Sequence, residues 1–170
     1  DFLPVAERDI ETTFQDLLRL VDRVQNVHLK RLLQSVFSDH GIATAFKKAP
    51  AAKTLHHDYV GGLLEHTYMV ACIALAVQRY YPNVNQDLVL AGALLHDIGK
   101  IRELSFEKSF EYSDNGRLLG HIVMGDEIIR EKISVLEGFP PDLAMVLRHL
   151  LLSHHGKYEF GSPKQPMTIE

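Results

Sequence analysis

Leu88-Val89-Leu90-Ala91-Gly92-Ala93-Leu94-Leu95-His96-Asp97-Ile98-Gly99 decides how the rest of the chain is read. An apolar run of this length, entered through Asn85 and left at Gly99, predicts a buried helix with an Asx-type N-cap and a glycine stop. The run is apolar enough to belong wholly to a core, yet it ends in the polar pair His96-Asp97. Each polar group buried without a partner costs roughly 1–3 kcal/mol. The stretch therefore predicts both an interior helix and something for its last two side chains to bind.

The sequence on either side repeats the pattern. Gly61-Gly62 opens a helix that runs to about Tyr81 and stops at Pro82. Its apolar positions Leu63, His66, Val70, Ile73 and Val77 fall in steps of three and four. A helix from about 117 to 136, stopped at Gly138, aligns Leu118, His121, Gly125 and Ile128. Pro140-Pro141 starts another, which runs to His155, stops at Gly156 and aligns Leu143, Leu147, Leu150 and His154. Upstream, 9–26 and 28–38 carry helical apolar spacing, and Gly41 and Pro50 bracket a shorter helix. Residues 51–60 read as a connector, 104–116 as a loop or small hairpin, and 157–170 as mostly irregular. The fold class expected is all-α and bundle-like.

With 170 residues, 46% hydrophobic and 24% charged, the chain has the balance of one soluble globular domain. No apolar run reaches the ~18 residues that would suggest a membrane span, and no secretory signal is legible. The single cysteine, Cys72, cannot form an internal disulfide; it reads as a small core residue, compatible with a reducing cytoplasm. A net charge of −4 argues against a surface that grips nucleic acid alone. Either the substrate is small or another domain delivers a polynucleotide. The unusual figure is ten histidines, the side chain that most often ligates metals.

One histidine on an apolar stripe is ordinarily a core residue bonded to a backbone carbonyl. Here four helices each aim one inward, with Asp97 beside His96, and a shared cation would relieve them together. Imidazole and carboxylate without thiolate suit Mn, Fe, Co, Ni or Zn, with positions left open for water.

His66 followed by His96-Asp97 resembles the signature of the HD phosphohydrolase superfamily, and His121 with His154-His155 resembles the further histidines of its two-metal members. The blocks HHDYVGGLLEHT (56–67), AGALLHDIGKIREL (91–104), GRLLGHIVMG (116–125) and LLSHHGKYEFGSPKQPMT (151–168) are closest to YhaM-type 3′→5′ exoribonucleases, in which an OB-fold domain precedes the HD domain. The resemblance implies an HD-domain helical bundle over 50–170 with the metal site at its centre, and makes 1–49 a linker or an extension of the bundle.

It also implies that His66, His96 and Asp97 hold a first divalent ion, and that Asp97 bridges to a second on His121, His154 and His155. Mn²⁺ is the ion the family suggests, with Fe, Co, Ni, Zn or Mg as substitutes. Lys100 either reaches a substrate phosphate or is a favourable charge at a helix C-terminus. His57 and Arg117 are candidate substrate contacts, and His154 or His155 is either a ligand or a proton donor.

The expected activity is cleavage of phosphodiesters by metal-activated water, in single-stranded RNA or DNA from the 3′ end. The alternatives are hydrolysis of small nucleotides and a non-catalytic metal-binding module attached to a nucleic-acid enzyme. The family draws a last aspartate ligand from a later helix. No aspartate follows Asp142, so the natural chain is expected to continue past Glu170, just as Asp1 suggests a longer chain upstream.

Overall fold

The computed structural model describes residues 8–51, 59–105 and 111–170. The helices are α1 (Ile10–Arg23), α2 (Val27–Phe37), α3 (His40–Lys48), α4 (Gly62–Gln78), α5 (Gln86–Leu95), α6 (Lys100–Glu103), α7 (Asp114–Ser134) and α8 (Pro141–Ser153). Strands β1 (Leu104–Ser105) and β2 (Glu111–Tyr112) pair antiparallel between α6 and α7, with Leu104 opposite Tyr112. None of the described helices is long and apolar enough to cross a membrane.

Local chemistry sets most helix starts. The carboxylate of Asp9 accepts the Thr12 N–H at 2.7 Å, and the side chains of Asn26, Asp39, Asn85 and Ser113 cap α2, α3, α5 and α7 in the same way. Gly61, with φ 87°, turns the chain into α4, where a side chain would be strained. Asp87, in the first turn of α5, accepts the N–H groups of Gln25 and Asn26, fixing α5 against the turn between α1 and α2.

Leu17, Leu29, Leu32, Leu33 and Phe46 from the first three helices share one continuous core with Leu63, Leu64, Leu94, Leu95, Ile98, Ile128 and Leu147. Helix α4 packs on α1 and α5, α7 on α6 and α8, and α8 on α5. The buried α5 therefore runs through the middle, and its C-terminal end meets α4, α7 and α8. Cys72 is half-buried and packs against the edge of this core.

Two expected helix faces are corrected. The buried side of α4 is Leu63, Leu64, Thr67 and Ala71, whereas Ile73 and Val77 are 60% and 45% exposed. Helix α4 is apolar almost all round, so spacing does not single out one face; packing against α1 and α5 decides it, and His66 comes to lie at the margin of the buried side. In α7, Leu118 is 83% exposed and does not share a face with His121. Gly120 adopts φ 73° and ψ 158°, which breaks the helix between them and resets its phase. That helix also starts at Asp114, three residues before the expected position, because Ser113 caps it.

Candidate metal centre

Asp97 lies one residue beyond the C-cap of α5 and is 3% exposed. The other elements converge on it. His66 comes from the second turn of α4, His96 is the C-cap of α5, His121 follows the break in α7, and His154 is the C-cap of α8 with His155 next to it. Asp97 Oδ2 is 3.2 Å from His96 Nε2 and 3.5 Å from His66 Nε2; Oδ1 is 3.4 Å from His121 Nε2 and 3.6 Å from His154 Nε2. His66, His96 and Asp97 form one group that could hold a metal ion, and Asp97, His121, His154 and His155 form another, with the ligand atoms of each group within 4.8 Å of one another.

The outer nitrogens explain why the inner ones converge. His96 Nδ1 lies 2.9 Å from the Ala93 carbonyl, His154 Nδ1 2.7 Å from that of Leu151, and His155 Nδ1 2.6 Å from that of Phe160. His121 Nδ1 lies 3.1 Å from Glu103 Oε1. A carbonyl oxygen only accepts, so each Nδ1 donates and the neutral ring presents a bare lone pair at Nε2. His121 Nε2 and His155 Nε2 nevertheless face each other at 3.3 Å. Two lone pairs at that distance repel unless something positive lies between them. In addition, Asp97 Oδ1 and His154 Nε2 are buried without a hydrogen-bond partner. Such orphaned acceptors are what a cation would satisfy, so the residues present fit a metal centre.

Burial alone would push Asp97 up, but its interactions with His96, His154 and the neighbouring Lys100 outweigh it and hold the carboxyl well below the usual range. Burial likewise disfavours a charged His96, and the Asp97 carboxylate more than compensates, so the proton affinity of His96 is raised. His155 moves the other way, lowered first by burial. A cavity of about 370 Å³ adjoins the cluster, lined by Val70, Val89, Ala93 and Leu150 as well as His96 and His154.

A profile of the HD domain matches residues 63–170, a stretch that contains every member of both groups. The chain belongs to the HD-domain family. The 3′-5′ exoribonuclease YhaM of Geobacillus sp. (strain WCH70) is 37% identical over 171 residues, covering 100% of this chain and 52% of that protein. The YhaM proteins of Listeria welshimeri and Bacillus subtilis (strain 168) are 36% and 35% identical over 173 residues, covering 53% of each. The chain thus spans about half the length of the curated relatives it matches. No solved structure matches it.

In this HD domain the structure brings together His66, His96, Asp97, His121, His154 and His155. Lys100 joins them by an ion pair of 2.7 Å to Asp97 Oδ2. Arg117 is not brought in; it is exposed in the first turn of α7, before the Gly120 break. His57 lies outside the described residues. Glu159 pairs with Lys157 at the surface, and Glu170 accepts the Asn85 N–H, so neither joins the cluster. Sequence reasoning passed over Glu103. It is 8% exposed and touches His121 from 18 residues away in sequence; nothing local distinguishes it from a solvated charge at the end of a short helix.

Proposed function

We propose that this HD domain is the hydrolytic part of a two-metal 3′→5′ exoribonuclease. The observation that carries the reading is the convergence of Nε2 lone pairs on the two oxygens of one buried aspartate, with the outer nitrogens of His96, His121, His154 and His155 tied off. His66, His96 and Asp97 Oδ2 would hold one divalent cation, and Asp97 Oδ1, His121, His154 and His155 a second. When bound, such cations supply Lewis-acid activation of water and neutralise charge on the phosphoryl oxygens. Manganese is the metal to test first, because the site offers imidazole and carboxylate but no thiolate.

The chain's own side chains have distinct tasks. Asp97 divides its oxygens between the two groups, so it sets their separation. Lys100 is anchored on Asp97 Oδ2 at 2.7 Å, close enough to the cluster to share its donors with a substrate phosphate. His155 has a proton affinity lowered first by its partial burial, which suits it to ligation over proton donation. RNA as the substrate follows the relatives, which are named as 3′-5′ exoribonucleases. A net charge of −4 leaves the grip on the strand to a further domain, such as an OB-fold, in a protein of about twice this length.

The test is purified wild-type chain against Asp97→Ala, with metal content measured by elemental analysis and 3′ trimming followed on 5′-labelled single-stranded RNA in Mn²⁺. A parallel panel of DNA oligonucleotides and small nucleotides fixes the substrate class. Asp97→Ala should lose most of its metal and essentially all trimming. Full metal content with full trimming in that variant would end the proposal.

A further inference from the structure

We propose that Glu103 is a positioning residue for one of the two cation sites alone: it holds His121 in the ring orientation and tautomer that the His121–His154–His155 site requires. This rests on the two-site reading above. Glu103 ends α6, where a carboxylate is normally solvated, but its side chain is buried against α7. A single oxygen, Oε1, accepts two bonds from one residue: the His121 N–H at 3.0 Å and His121 Nδ1–H at 3.1 Å.

The reason lies in the backbone. Gly120, with φ 73°, breaks α7, so His121 starts a new helical segment with its N–H turned out of the preceding turn. Glu103 caps that restart from a distant part of the chain, and the same oxygen fixes the ring. The carboxylate cannot drift, because its backbone is clamped. Glu103 N donates to the Gly99 carbonyl at 3.0 Å, and its own carbonyl accepts the Ser113 N–H at 2.9 Å. Gly116 packs so closely that a Cβ there would lie 2.2 Å from the Glu103 carbonyl oxygen.

The assignment is selective. His96, His154 and His155 are oriented by backbone carbonyls, which no side-chain substitution removes. For His121 that task falls to a side chain, and outer partners of this kind typically tune metal affinity by about 10–100-fold. Glu103 touches neither His66 nor His96 in these contacts, so the first group should not feel its loss.

The experiment is Mn²⁺ titration of the whole chain by calorimetry, with thermal unfolding of the metal-free protein measured alongside. Wild type should bind two ions. Glu103→Ala should bind the His66–His96–Asp97 ion normally and the other at least about 10-fold more weakly. Glu103→Gln keeps an amide oxygen able to accept both bonds, and should restore most of that loss. Asp126→Ala is the stability control. On the same helix as His121, it breaks the half-buried pair with Arg148 of α8 (2.6 and 2.8 Å), and should lower the melting temperature with both Mn²⁺ affinities retained.

Equal affinities in wild type and Glu103→Ala would overturn the proposal, as would losses in Glu103→Ala and Asp126→Ala that merely track melting temperature. If Glu103→Ala does not fold, Glu103→Asp decides, because its shorter side chain keeps the charge but withdraws the oxygen from His121. A selective weakening of one site supports the assignment, and two unchanged affinities overturn it. A wild type that binds no ion would instead overturn the two-metal reading itself.

Discussion

Gly99→Ala adds one methyl group, and its effect can be worked from the crossing of α6 on α7. A Cβ at Gly99 would lie 1.9 Å from the His121 carbonyl oxygen, 2.6 Å from Gly125 N and 2.8 Å from the His121 carbonyl carbon. All three are backbone atoms, so no rotamer change can relieve the clash. To restore ordinary contact the two segments must separate by roughly 1.5 Å, which places the cost at the upper end of overpacking, about 3 kcal/mol. For a domain of this size that lowers the melting temperature by roughly 6–12 °C. The same displacement carries the His121 backbone away from Asp97, so Mn²⁺ binding should weaken as well. Gly125→Ala is the internal control on the other side of the crossing. Its Cβ would stand 3.4 Å from Gly99 N and 3.6 Å from Ile98 Cγ2, which is ordinary contact. Its helical position even favours alanine by up to about 1 kcal/mol. Urea unfolding of the two variants separates the cases. Gly99→Ala within about 0.5 kcal/mol of wild type, or Gly125→Ala as damaging as Gly99→Ala, would refute the close backbone approach.

Removing metal should lower stability by linkage. Mn²⁺ at a hundred times its Kd adds about 2.7 kcal/mol for each occupied site, so EDTA should lower the melting temperature by roughly 5–10 °C for each ion removed; identical melting curves would contradict a preformed site. Asp126→Ala should cost about 1–2 kcal/mol in urea unfolding, less than a fully buried pair, because the Arg148 side chain is 36% exposed and keeps access to water. For pH, the relevant group is Asp39, held low first by its bond from Lys132 at 2.8 Å and then by the Ile42 N–H. A depressed carboxyl contributes stability above its unfolded pKa and loses it as pH falls through the folded value. Asp39→Asn keeps a good N-cap but loses the ion pair. Its deficit relative to wild type, read by urea unfolding, should be present at pH 6 and shrink toward pH 3; a deficit that grows on acidification would reverse the sign.

The elements legible in the sequence are those whose cause is local. Asn85 caps α5 through its own side chain, Pro140-Pro141 starts α8, and Gly61 supplies a left-handed turn into α4. The histidines were legible for a related reason: polar residues that end strongly apolar runs have few ways to be satisfied. What escaped depends on partners far off in sequence. The face of α4 is chosen by α1 and α5, because an apolar stripe is informative only when the opposite side is polar. The phase of α7 changes at Gly120, whose positive φ restarts the helix at His121, where Glu103 from a distant part of the chain caps it.

Asp97 shows why so small a part of the chain carries so much of the site. It follows directly on His96, so one helix end delivers an imidazole and a carboxylate with no loop to adjust. Its two oxygens then face opposite groups: Oδ2 toward α4 and Lys100, Oδ1 toward α7 and α8. Replacing it with asparagine would leave the shape nearly unchanged but turn one acceptor into a donor, aimed at lone pairs on one side or at the Lys100 ammonium on the other. Neither orientation satisfies both groups. An isosteric substitution should therefore impair metal binding nearly as severely as alanine, an outcome that elemental analysis of Asp97→Asn beside Asp97→Ala would check; near-normal metal content in the asparagine variant would mean that a single side of the aspartate suffices.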